Sequence, residues 1–435
     1  MSNDYFFDYM RGLLGERYDA FIQAYNNKPR HKALRINTDK ISVDEFKMLF
    51  DGELRQNPLC ANSFYCDVKP SLDPLYHAGL YYMQEPSASA AVAAFSPFIG
   101  SRVLDLCAAP GGKSTQAAEY MNGGVLFCND TDYKRVSALR ENIERLGVKN
   151  AVITCATAAD YVNAGFKEYF DTIIVDAPCS GGGMMRYEDV PYSQNIVNGC
   201  AIRQRAILDD AVKLLCGGGY MLYSTCTFAK EENEDNVNYL LSLGMRTVDI
   251  PLLPGTERGI DVHDARRIYP IDFDGEGHFY CVLQKAEGGK TDLQMLRKKV
   301  TRCMFGGLAM QVAESGGKRK TYRYLDFDVP DCLQLNPVAI GSSVLLNEKD
   351  RESYFYSNYA LVHALNSAQL SEFGAVEVWD RAIEYLSGKQ LDLSVLQRGY
   401  VAVTYKGYAL GLGYSASTGS GDFAVKNGYP KNLRL

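Results

Sequence analysis

The sequence predicts an α/β protein: a doubly wound parallel sheet at the centre, an N-terminal extension before it, and smaller C-terminal modules, the last of them β-rich. Three observations carry this. Short apolar runs alternate with helical patterns through the middle of the chain, the signature of βαβ units. The clearest helical pattern, Asp132–Leu146, puts Val136, Leu139, Ile143 and Leu146 on one face and stops at Gly147. Past Gly288-Gly289-Lys290, a linker-like stretch, the pattern changes. Tyr400–Tyr405 and Ala409–Tyr414 flank Lys406-Gly407-Tyr408 as the arms of a hairpin would.

Each element has its own reason. Val103–Leu106, Val125–Cys128, Ala151–Thr154, Thr172–Val175, Tyr220–Tyr223 and Phe279–Leu283 are short, continuous apolar runs, as expected of strands buried on both faces. Asp130 and Thr131 carry the oxygens expected to cap the helix that follows. At roughly 100–200 residues per domain, the 435 residues divide into segments placed at 1–76, 77–287, 288–362 and 363–435. Trp379, the one tryptophan, is read as a packing anchor.

Composition sets the class. With 46% hydrophobic and 23% charged residues, disordered, collagen-like and fibrous chains are excluded. No basic-then-apolar leader opens the chain, and no apolar run reaches the roughly 18 residues of a membrane helix. A cytoplasmic protein with no membrane partner is expected. Its 12 cysteines are then reduced, and without a CxxC pair no metal is expected. The net charge of −6 counts against nucleic acid until it is resolved along the chain. Lys290–Arg323 carries +7, Arg398–Leu435 carries +4 and Lys28–Lys40 carries +4, which leaves about −21 for the rest. One such run is ordinarily a solvated face; three around an acidic body suggest a binding surface.

Val103–Leu106 runs into Cys107-Ala108-Ala109-Pro110-Gly111-Gly112-Lys113, with a helix expected near Ser114. Small residues let a ligand approach the backbone, and a helix N-terminus offers free N–H groups. Asp105, Asp130 and Asp176 each end a strand on this edge. Asp130 is placed to accept hydrogen bonds from ribose hydroxyls. No phosphate loop or pyrophosphate fingerprint is present, so S-adenosylmethionine fits better than a nicotinamide dinucleotide.

Two cysteines share that edge: Cys179 in Asp176-Ala177-Pro178-Cys179-Ser180-Gly181 and Cys226 in Ser224-Thr225-Cys226-Thr227. Each alone would be a buried filler. Together with an acid at a ligand-binding edge they point to cytosine chemistry. Carbon 5 of cytosine is a poor nucleophile. A thiolate adding at carbon 6 pushes electron density to carbon 5, which can then attack a sulfonium methyl. An acid near ring nitrogen 3 helps by protonating it or by hydrogen bonding. Adenine-amino methylation needs no thiol.

These motifs, Cys107–Lys113 (CAAPGGK), Asp176–Gly181 (DAPCSG) and Tyr223–Thr227 (YSTCT), together resemble those of the Sun/Rsm-type RNA cytosine-5 methyltransferases. Leu34–Thr38, Gly79–Ala88, Ser180–Arg186 and Glu231–Glu234 also match, and Gly399–Arg434 is similar to the PUA-like module ending the bacterial RsmF-type rRNA enzymes. The resemblance implies a Rossmann-like class I methyltransferase domain at 77–287 that uses S-adenosylmethionine. An RNA-binding extension would lie at 1–76, a linker and intermediate RNA-binding module at 288–362, and a PUA-like domain at 363–435. It implies Cys226 as nucleophile, Cys179 in release of the methylated base, and Asp176 near both cofactor and cytosine. Cys107, Ala108, Ala109, Pro110, Gly111, Gly112, Lys113, Asp130 and Asp176 would hold the cofactor. Thr157-Ala158-Ala159-Asp160 departs from the usual Asp-Gly-Arg, and Asp160 is the candidate adenine contact. Cys216-Gly217-Gly218 is a second departure, expected to affect only a turn. The implied substrate is ribosomal RNA, expected to be 16S, within the small subunit or its precursor, and the protein is expected to act as a monomer. The alternatives are the same reaction on tRNA and a non-catalytic RNA-binding assembly factor.

Overall fold

A computed structural model describes residues 4–27, 32–185, 191–302, 309–314, 321–323, 327–341, 359–391, 399–417 and 423–435. The central sheet holds the predicted strands. Arg102–Asp105, Val125–Asn129, Ala151–Thr154, Phe170–Asp176 and Leu215–Thr225 are parallel. His278–Lys285 joins antiparallel beside Leu215–Thr225. Strand order reverses between Arg102–Asp105 and Phe170–Asp176. That switch point opens a crevice above the carboxyl ends of the strands. The core below is apolar throughout, with Leu104, Phe127, Ile173, Tyr223 and Phe279 all fully buried. Ala151–Thr154 coincides with its apolar run and Arg102–Asp105 stops one residue short of Leu106, while Leu215–Thr225 and His278–Lys285 run past theirs, because ladder pairing continues where the side chains turn polar.

The predicted helix spans Tyr133–Leu146 and ends in a left-handed Gly147 (φ 74°), where a side chain would meet the His363 carbonyl. Its cap is Asp132, not Asp130 or Thr131. The Asp132 side chain accepts from the Lys134 and Arg135 amides at 2.8 and 3.3 Å, since only the residue immediately before the first turn reaches them.

The N-terminal part builds two helices, Asp4–Leu14 and Tyr18–Asn27, and a four-stranded antiparallel sheet. That sheet's last strand, Tyr81–Met83, lies beyond residue 76. Phe6, Phe21 and Tyr25 of the helices pack on Met185, Tyr192 and Phe228 of the catalytic body. After Gly288 the chain forms a three-stranded sheet, Arg297–Arg302, Ala309–Glu314 and Thr321–Arg323. It then returns to the central sheet, where Ala339–Ile340 pairs antiparallel with Ala151–Thr154 and Leu296, Val329, Cys332 and Ile340 join the main core. The C-terminal sheet contains the predicted hairpin, Gly399–Tyr405 with Tyr408–Ser417. Lys406 and Gly407 turn it with φ 51° and 81°. This module shares one core with the N-terminal sheet: Leu34, Ile36 and Tyr81 pack with Val401, Leu410 and Tyr429.

Two further sequence readings change. Trp379 is 69% exposed and has a φ of 40°, so it is a surface residue on a turn, not a packing anchor. Within Lys28–Lys40, Arg35 is 1% exposed. It is ion-paired with buried Glu119 and donates to Gln84 and Thr115 at 2.8 and 2.7 Å. Lys40 donates to the Ala78 and Arg145 carbonyls at 2.9 and 3.2 Å. A cation held on buried acceptors cannot also meet phosphate, so these two tie domains together. Lys28, Arg30, Lys318, Arg319, Lys320 and Arg398 lie outside the described residues. Among the described residues no helix is long and apolar enough to cross a membrane.

Candidate active site

The loop after Arg102–Asp105 turns tightly because Gly111 adopts a φ of 114° as the N-cap of the helix Gly112–Tyr120. A side chain there would press on Leu139 at 3.3 Å. Helix Tyr133–Leu146 straps the loop down: Arg135 donates to the Ala109 carbonyl at 2.8 Å and Asn142 to the Pro110 carbonyl at 2.9 Å. The loop's own side chains, Ala108 and Ala109, are small and buried. Cys107 lies at its root, where burial and then the charges of Asp105, Asp176 and Asp130 push its thiol up. The three strand-end acids thus converge on one spot.

Each acid is held differently. Asp105 is fully buried; Ser114 donates to one oxygen at 2.6 Å and the other has no partner. Burial, then Asp176, pushes its carboxyl up to about 7 against the hydrogen bond of Ser114. Asp130 accepts from the Asp132 amide at 3.0 Å and lies 3.1 Å from Arg135. Asp176 is bound by Lys113 at 2.8 Å and accepts from Ser224 at 2.8 Å. Burial, the largest single effect, would raise the Asp176 carboxyl, but Lys113, His278 and Ser224 together outweigh it and the group sits below its ordinary range.

Cys179 Sγ and Cys226 Sγ stand 3.1 Å apart on the same edge. The hydrogen bond to Cys226, then burial and the nearby Glu232 charge, push the Cys179 thiol well up. The loop after Cys179 folds back on Cys226: the Gly183 amide donates to the Cys226 carbonyl at 3.1 Å. A Cβ at Gly183 would stand 3.0 Å from that oxygen and 2.8 Å from the Glu276 carbonyl. Only glycine lets the two cysteine loops close so tightly.

Three family profiles match in chain order. They are the N-terminal domain of 16S rRNA methyltransferase RsmF over residues 3–86, 16S rRNA methyltransferase RsmB/F over 92–284, and the methyltransferase RsmF PUA domain over 379–435. The ribosomal RNA small subunit methyltransferase F of Vibrio vulnificus (strain YJ016) is 31% identical over 95% of this chain and 93% of its own. The chain belongs to the RsmF family of rRNA methyltransferases. That of Serratia proteamaculans (strain 568) is 37% identical over 61% of this chain and 59% of its own. Among solved structures, a methyltransferase homolog protein from Pyrococcus horikoshii matches at 28% identity and a TM-score of 0.57. It covers 64% of this chain and 93% of that one.

In this RsmF-family chain the edge also uses residues that the sequence reading left without a role. Glu232, fully buried, accepts from the Ser180 amide at 3.0 Å, the Ser180 hydroxyl at 2.5 Å and the Gln204 amide at 2.9 Å. Its signal was visible in Glu231-Glu232-Asn233-Glu234, an acidic run too close to a buried strand to be only surface. His278 is 3% exposed, 4.0 Å from Asp176, and its Nε2 has no hydrogen-bond partner. Burial, then Lys113, pushes it down to about 3, so the ring is neutral. No local pattern announces it, because it reaches the edge from the antiparallel strand. Asp160 lies in the first turn after the strand Ala151–Thr154; it is exposed, and its carboxylate accepts from the Thr157 amide and hydroxyl at 2.8 and 2.7 Å in a capping box.

Proposed function

We propose that this rRNA methyltransferase transfers a methyl group to carbon 5 of a cytosine in small-subunit rRNA through a covalent adduct on Cys226. The observation that carries the reading is the Cys179–Cys226 pair, 3.1 Å apart beside Asp176. Two thiols at the ligand edge of a parallel sheet have no structural purpose that one alkyl side chain would not serve better.

S-adenosylmethionine fits the crevice and would supply the methyl group. The loop Ala108–Gly112 carries only small side chains toward a ligand, and Asp105 has a buried carboxylate oxygen without a hydrogen-bond partner, with Asp130 on the next strand end. A buried unsatisfied oxygen beside a second acid suits a hydroxyl-rich and cationic ligand. Cys107, Lys113 and Asp176 complete the lining.

The chain's own residues divide the work. Cys226 adds to carbon 6 of cytosine, which makes carbon 5 nucleophilic. Asp176, kept ionised by Lys113, accepts from the exocyclic amine of cytosine rather than protonating ring nitrogen 3. Once carbon 5 carries its methyl group, its proton passes to a base of which Cys179 is part, and the Cys226 sulfur–carbon 6 bond breaks, restoring the ring's double bond and returning the thiolate. The base must leave its helix to reach the half-buried thiols, at a cost of about a few kcal/mol unless the RNA is already open. The family membership and the C-terminal module favour rRNA over tRNA. The retained cysteines and Asp176 favour an enzyme over a non-catalytic assembly factor.

The test is a denaturing gel of variants incubated with cofactor and unmethylated 16S rRNA, naked or assembled. Cys179→Ala accumulates a protein–RNA adduct that survives denaturation, and adding Cys226→Ala removes it. An adduct that persists in the double variant would overturn the assignment of Cys226. Bisulfite sequencing of RNA from a strain lacking the protein identifies the cytosine.

A further inference from the structure

We infer that Glu232 is a positioning residue of this reaction: its carboxylate sets where the Cys179 thiol stands against Cys226. The inference rests on the two-cysteine reading above and assigns a task to a residue that touches neither RNA nor cofactor in that reading.

The geometry singles out Cys179. Glu232 takes both donors of Ser180, the residue immediately after it, at 3.0 Å for the amide and 2.5 Å for the hydroxyl. The Gln204 side-chain amide that donates to Glu232 at 2.9 Å also donates to the carbonyl of Pro178, the residue immediately before, at 3.0 Å. One carboxylate with one amide therefore holds Cys179 from both flanks. Cys226 is held more loosely by the same group, through Thr227, whose hydroxyl lies 2.9 Å from that of Ser180.

Glu232 is itself anchored. Its backbone carbonyl accepts from the Tyr223 hydroxyl at 2.5 Å, on the strand that leads to Cys226. Among the described residues it forms no ion pair; neutral donors satisfy the carboxylate. A buried carboxylate without a cation is costly, and a chain retaining one purely for stability would do better with a packed apolar group. The arrangement suits a site where a nucleophile pair must be held within a few tenths of an ångström. Burial pushes the Glu232 carboxyl up while its hydrogen bonds from Ser180 and Gln204 favour the charged form, and charge there favours the thiol over the thiolate at Cys179.

A positioning role predicts a split between two rates. With radiolabelled S-adenosylmethionine and in vitro transcribed 16S rRNA, Glu232→Ala and Glu232→Gln are compared with wild type in single-turnover methyl transfer, and separately in the lifetime of the covalent adduct. In Glu232→Ala, methyl transfer per folded molecule falls less than about threefold while adduct release slows about tenfold or more, so adduct accumulates. Glu232→Gln, which keeps one acceptor oxygen, lies between. If both rates fall by one factor, or if adduct lifetime is unchanged, the inference is overturned. Should Glu232→Ala fail to fold, Glu232→Gln carries the same comparison. Cys179→Ala run alongside separates the two failures. If it traps no adduct, the two-cysteine reading is wrong; if it traps one while the Glu232 variants behave as wild type, only the positioning role is wrong.

Discussion

The catalytic edge and the junction between the terminal modules both bury charge, and they bury it in opposite ways. At the junction the buried groups are cations, and each is held on an acid, a ring or a carbonyl. Arg35 lies on Glu119, Gln84 and Thr115. Arg145 donates to the Tyr76 and Tyr81 carbonyls at 2.8 and 3.0 Å and stacks 3.8 Å over Tyr76. Lys40 reaches the carbonyls of Ala78 and Arg145 and lies 3.4 Å from His363. At the edge stand carboxylates, a neutral histidine, two half-buried thiols and one buried cation, Lys113 on Asp176, and single atoms of Asp105 and His278 are left without hydrogen-bond partners. Matched burial builds architecture; unmatched burial leaves capacity for a ligand.

The comparison can be broken or sharpened in four ways. The largest effect belongs to the edge: Cys226→Ala lowers methyl transfer by at least about 10³-fold without unfolding the protein, read by methyl incorporation beside a thermal melt. Next is the junction. Arg35→Met strands Glu119 in the core and costs about 3–5 kcal/mol in denaturant unfolding. Adding Glu119→Leu restores most of it, and cofactor affinity of the folded protein stays within about twofold. If Arg35→Met alone weakens RNA binding and leaves stability intact, the junction is a binding surface after all.

The third effect depends on pH. The Asp105 carboxyl, pushed up to about 7 by burial, is harder to ionise folded than unfolded. Wild type therefore loses stability as pH rises from about 4 to 7, and the loss is constant above that. Asp105→Asn escapes it, gaining about 1–3 kcal/mol on wild type at pH 8 and nothing near pH 3.5. A constant difference between the two across that range would show Asp105 to be ionised throughout. The smallest effect is at the surface: Trp379→Ala changes stability by less than about 0.5 kcal/mol, where a packed tryptophan would cost about 3–5.

How much of this was legible follows from what each residue's neighbours are. Cys107–Lys113, Asp176–Gly181 and Tyr223–Thr227 are contiguous motifs at strand ends, so strand order alone brings them to one edge. Glu232 and His278 act across long sequence separations, and only the folded sheet shows what they face. Charge counting misled at Arg35 and Lys40, since a net charge does not say whether a lysine ends in solvent or on a carbonyl. The segment after Gly288 read as a linker, yet it contributes Val329, Cys332 and Ile340 to the main core. Truncation there removes part of the catalytic body, so it cannot serve as a clean test of RNA binding.

The pairing of Ala339–Ile340 with Ala151–Thr154 has a consequence for how the protein is made. The outermost parallel strand leaves the translating ribosome long before the segment that covers it is synthesised. In that interval the edge of that strand stands unpaired, the exposure that promotes edge-to-edge aggregation. A chain shortened before residue 339 keeps that edge open, and its expected outcome is a smaller soluble fraction than the full chain gives.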